Sequence, residues 1–160
     1  MKVYLTTDPE SRTSVDVFRG IAGPLVDHPH GWRNLRVVDT KSEADAIVTL
    51  SPNHVMAKRF GRRLLKDRLS LCNMKTREIW INEDRWQRAI PDESQLPLAA
   101  YRAYVLQHEL GHALGLEHAE HCTAPGIPAP IMVQQTLGIG MCAPNPFPTQ
   151  FELDEVSNKK

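Results

Sequence analysis

The sequence predicts an α/β fold, one twisted mixed sheet packed on helices, and three observations lead there. Strand-like and helix-like hydrophobic periods alternate through the N-terminal half, a long apolar helical pattern runs over 97–114, and the stretch beyond it is irregular and rich in Pro and Gly. At 160 residues the chain is sized for one core, so a single domain over 1–160 is expected.

The elements follow in order. Val3 to Thr6 reads as a short strand. Val15, Phe18, Ile21 and Leu25 fall at helical spacing within Ser14–Val26, with Pro24 expected to fray the end. His28-Pro29-His30-Gly31 is turn material, and Leu35–Val37 and Ala46–Leu50 alternate enough to be strands. Met56, Phe60 and Leu64 predict a helix over His54–Arg68. Its other face is Lys58, Arg59, Arg62, Arg63 and Lys66, a stripe that is either solvated or offered to phosphates. Glu78–Asn82 reads as a half-buried strand, followed by a polar stretch to Leu96. From Pro97, suited to a first helical turn, Leu98, Tyr101, Val105, Leu106, Leu110, Ala113 and Leu114 carry the longest helix to Gly115.

Bulk properties narrow the function. The 19 Lys+Arg balance the 19 Asp+Glu, which leaves no net field to draw in nucleic acid or an anionic membrane. No apolar run is long enough to span a bilayer, and the first residues lack a signal-peptide pattern. An extracellular setting is expected if the chain is a mature form, and a cytoplasmic one otherwise. Of the three cysteines, Cys122 and Cys142 bracket the Pro-rich loop. A bridge there would stabilise by about 3 kcal/mol in an oxidising compartment, and free thiols are the alternative in a reducing one.

The chemistry concentrates at 108–118, His-Glu-Leu-Gly-His-Ala-Leu-Gly-Leu-Glu-His. His108 and His112, four apart on a helix, project from one face and can share a tetrahedral ion. Gly115 can enter the left-handed conformation, end the helix and let His118 swing back as a third ligand. Three nitrogens leave one position open, the mark of a catalytic rather than a structural Zn²⁺. Glu109 lies beside the ion without ligating it, placed to act as general base on a zinc-activated water and to pass its proton to a leaving amine. Gly111 costs about 1 kcal/mol of helix propensity against alanine, which implies close packing by a neighbour. A bare His-Glu-x-x-His string arises by chance; the glycine and third histidine make the pattern far more restrictive.

These eleven residues resemble the metzincin signature at every specified position. The resemblance implies an α+β zincin-like fold, a zinc endopeptidase activity, and a methionine turn beneath the metal, for which Met132 in Pro130-Ile131-Met132-Val133 is the candidate. Taken alone, Met132 would read as core packing. Cys72–Trp86, Tyr101–His118, Pro128–Thr136 and Asn145–Pro148 are similar to an uncharacterised, mainly actinobacterial family of metzincin-like peptidases, whose members typically carry a secretion or anchoring segment. By the same analogy Ile79–Asn82 would be an edge strand that a peptide extends, with an interior strand packed by Trp80 as the alternative. Pro128–Gln135 and Asn145–Pro148 would wall the pocket beyond the scissile bond.

Lesser candidates stay open. Glu117 either orients a ligand ring or is solvated, His121 reads as surface, Tyr101 and Tyr104 as helix packing, and Cys72 or Cys122 could cap the metal. The expected partner is a peptide or protein substrate, met by a monomer. Nucleic acid is not expected, although bacterial ribosome-maturation endoribonucleases share the histidine spacing. Those enzymes carry glycine after the first histidine, where this chain has Glu109.

Overall fold

In the computed structural model the described residues are 1–61, 69–89, 95–119, 122 and 124–159. Five strands form one mixed sheet: β1 (Lys2–Thr7), β2 (Arg36–Val38), β3 (Ala46–Ser51), β4 (Leu71–Asn73) and β5 (Glu78–Asn82). Their order is β2-β1-β3-β5-β4, with β4 alone antiparallel. Among the described residues five α-helices accompany them: α1 (Val15–Val26), α2 (Asn53–Phe60), α3 (Glu83–Arg88), α4 (Leu98–Ala113) and α5 (Gln150–Asn158). The fold is therefore α/β, as the sequence predicts.

Register explains the core. Leu5 pairs with Val48 and Val48 with Ile79, so these side chains share one face, where they meet Phe18 and Ala22 of α1 and Leu106 and Leu110 of α4. Phe18 packs edge-on to Trp86 of α3 at 5.2 Å. α4 is buried on nearly all sides, which is why its pattern is apolar throughout rather than a stripe. Pro97 is its N-cap rather than its first turn.

The structure corrects two expectations. β5 is not an edge: β4 pairs beyond it, Cys72 opposite Ile79. The opposite face of β5 is covered too, since Phe60 meets Trp80 at 4.8 Å and the Arg59 guanidinium lies over that ring at 4.7 Å. The run Ile79-Trp80-Ile81 is thus the continuous apolar signature of a strand buried on both faces. Pro24 does not fray α1, which continues through it to Val26. Within the polar stretch after Asn82, the Asn82 side chain accepts from Asp84 N and starts α3. The basic helix expected to reach Arg68 is seen over Asn53–Phe60; positions 62–68 lie outside the described residues, as does His121.

Beyond α4 the described residues are irregular except for a 3₁₀ turn at Gln135–Leu137 and α5, and one disulfide, Cys122–Cys142, staples them. Cys72 is the free thiol. No helix among the described residues is long and apolar enough to cross a membrane.

Candidate metal centre

The last turn of α4 sets the site. Gly115, at φ 92°, closes the helix with two reverse bonds, Gly115 N to His112 O at 2.9 Å and Leu116 N to Gly111 O at 3.0 Å. That reversal carries the Leu116 carbonyl back onto His112 Nδ1 at 2.7 Å. One turn earlier, His108 Nδ1 bonds the Ile131 carbonyl, also at 2.7 Å. A carbonyl oxygen only accepts, so both Nδ1 atoms carry the proton and both Nε2 lone pairs remain for a ligand.

His108, His112 and His118 then converge. One nitrogen from each lies within 4.8 Å of the others, and the ring centroids stand 4.7 to 5.2 Å apart. The trio could hold a metal ion. Burial drives the His108 pKa down to about 3, with the neighbouring imidazoles adding and the Ile131 bond opposing. His112 and His118 are lowered as well, again chiefly by burial, while Glu117 opposes through its charge. All three shifts favour the neutral form that ligates.

Glu109 is buried beside them, and its Oε2 has no hydrogen-bond partner among the described residues. Burial pushes its pKa up to about 8. An uncompensated carboxylate oxygen is expensive unless a cation or proton donor is its counterpart. The orphaned oxygen, the three free nitrogens and the cleft they face fit a bound divalent ion together with a proton-bearing reactant.

Met132 packs beneath. A Cβ built at Gly111 would collide with Met132 Sδ and come within 2.9 Å of Trp32 Cζ2, which accounts for the glycine inside the helix. The Met132 carbonyl accepts from Ala119 N at 3.1 Å and so ties down the segment that carries His118. Met132 itself is buried.

The cleft over the cluster has a volume of about 410 Å³. Its walls are Leu69, Ser70, Leu71, Cys72 and Met74 on the β4 side, and Tyr101, Tyr104, Val105, Gln134 and Thr136 on the other. Cys72 stands on the α4-facing side of β4, near enough that the Glu109 charge, after burial itself, helps push its thiol up to about 12. Cys122 is in the disulfide and is no candidate cap. Tyr101 and Tyr104 are buried packing residues whose hydroxyls bond Thr136 Oγ1 and the Val133 carbonyl, both at 3.1 Å, and they floor the cleft as well. Glu117 lines it and is exposed.

Two expected walls are not there. Of Pro128–Gln135 only Gln134 reaches the cleft, and Asn145, Phe147 and Pro148 line a separate depression beside His30 and Arg33. The reason is the Asn145 side chain, which turns that segment inward by donating to Ala129 O at 2.8 Å while Asn145 N donates to Gln135 Oε1 at 3.1 Å. Apart from Cys72, sequence reasoning missed the β4 wall, because three residues are too few to show a period.

A family model with the description "Protein of unknown function (DUF3152)" matches residues 16–157. No curated protein and no solved structure matches the chain.

Proposed function

We propose that this chain, which belongs to the DUF3152 family, is a zinc-dependent endopeptidase. The observation that carries the reading is the buried, unpartnered Glu109 Oε2 beside three neutral imidazoles at the floor of an open cleft. His108, His112 and His118 would hold the ion through nitrogen, a donor set that suits zinc and leaves a position free. Bound zinc supplies Lewis acidity, which makes water more acidic and a substrate carbonyl more electrophilic.

The chain's own residues do the rest. Glu109 Oε2 takes the proton of the attacking water and returns it to the leaving amine, a role that the positive charge of a bound ion favours by keeping the buried carboxylate ionised. An extended peptide lies along β4, the terminal strand of the sheet, whose residues already wall the cleft. An apolar side chain after the scissile bond enters between Tyr104, Val105 and Thr136. The Cys122–Cys142 bridge suits an oxidising compartment.

The endoribonuclease reading is less well supported. Among the described residues, the cleft contains Glu109 and Glu117 and no Lys or Arg, a poor receptacle for phosphates. Incubating zinc-loaded protein with a diverse peptide pool and sequencing the products tests the proposal. Internal cuts that vanish in His112→Ala support it; an intact pool beside cleaved structured RNA transfers the site to the rival.

A further inference from the structure

Glu152 belongs to α5, yet its carboxylate works on a segment 20 residues away. As a helix cap it accepts from Thr149 N at 2.8 Å and Thr149 Oγ1 at 2.7 Å. Capping glutamates ordinarily stand in solvent, but this one is 3 % exposed. Its remaining acceptor capacity goes to two successive backbone donors, Ile131 N at 3.0 Å and Met132 N at 2.9 Å. A cap needs neither of those bonds.

The second of them matters most, because Met132 N–H and the Ile131 carbonyl are the two ends of one peptide group. Its nitrogen donates to Glu152 Oε1, and its oxygen accepts from His108 Nδ1 at 2.7 Å. The order in space is carboxylate, peptide, imidazole. A charged acceptor on the N–H side raises electron density on the carbonyl, and a stronger carbonyl acceptor holds the Nδ1 proton and makes Nε2 more basic. Histidine ligands commonly achieve this by bonding a carboxylate directly. Here one peptide unit is interposed.

We propose that Glu152 is a positioning residue for His108, acting through the Ile131–Met132 peptide group; this rests on the reading of His108 as a metal ligand. Glutamine at 152 can accept with only one atom and must turn an NH₂ toward one of the two backbone donors, so it tests charge and geometry while keeping size. Leu153, on the same helix and packed against the core, is the control, since truncating it weakens α5 docking without touching the carboxylate.

The experiment measures zinc affinity by competition with a chromophoric chelator, and the visible absorption of the cobalt(II) form, for full-length wild type, Glu152→Gln and Leu153→Ala, all well below their melting temperatures. Glu152→Gln should bind zinc about 10–100-fold more weakly and shift the cobalt ligand-field bands. Leu153→Ala should melt earlier yet keep wild-type affinity and bands. Unchanged affinity and spectrum in Glu152→Gln, or equal weakening in Leu153→Ala, overturns the inference and leaves the metal reading standing. A wild type that takes up neither ion overturns the metal reading itself, and this inference with it.

Discussion

Met132 Sδ occupies the space that a side chain on Gly111 would need. The helix carrying two of the three histidines is thereby locked to the loop that carries Met132, with Trp32 closing the other side. Gly111→Ala gains about 1 kcal/mol of helix propensity but overpacks a closed core, which typically costs about 1–3 kcal/mol. The expected net is destabilisation with weaker zinc binding. Measured by urea unfolding, the penalty should shrink when Met132→Ala makes room, a coupling that a double-mutant cycle reads directly. Additive effects would mean the two residues do not share that space.

The metal-free protein should have a characteristic pH profile. Glu109 is raised from an ordinary 4.5 to about 8, so the folded state keeps a proton that the unfolded chain has released, and stability falls as pH rises through that window. His108 is lowered from 6.5 to about 3, so the unfolded chain takes up a proton that the fold refuses, and stability falls as pH drops through that range. The two oppose each other below 6.5. Above it Glu109 acts without that opposition, which predicts a loss of about 2 kcal/mol between pH 6.5 and 8. Melting curves should show this decline in metal-free wild type, its disappearance in Glu109→Gln, and its suppression by zinc, whose charge favours the carboxylate. A wild-type profile that is flat there would contradict the burial of Glu109.

The thiols should divide sharply. A non-reduced digest should link the Cys122 and Cys142 peptides, and reduction should lower unfolding stability by about 3 kcal/mol. Cys72, its pKa pushed up to about 12, is thiolate in only about one molecule in 10⁴ at pH 8, so in the folded metal-free protein it should alkylate orders of magnitude more slowly than in urea. Equal rates would place Cys72 away from Glu109 and out of the cleft wall.

What could be read from the sequence was what local spacing encodes. Two histidines four apart, a glycine that ends the helix and a glycine that admits a neighbour are all statements about a few adjacent residues, and α4 follows them. The partners of His108 and Glu152 lie 23 and 20 or 21 residues off in sequence, and no local pattern carries such pairings. β4 and α3 are too short to display a period. One signal went unused, a capping box, while another bore on the two alternatives for β5. Thr149-Gln150-Phe151-Glu152 is a capping box announcing α5, and the unbroken Ile79-Trp80-Ile81 run marked an interior strand.

In the proposed reaction Glu109 moves protons for a metal held by the three histidines. In Glu109→Ala the three imidazoles remain, so zinc content should stay at about one equivalent, while peptide hydrolysis should fall by at least about 10²–10⁴-fold. Zinc stoichiometry, melting temperature and the turnover of one peptide from the cleavage pool, measured side by side in wild type and variant, decide it. The expected result is metal retained and activity lost. Unchanged turnover in a zinc-loaded, folded variant would contradict it and remove Glu109 from the chemistry.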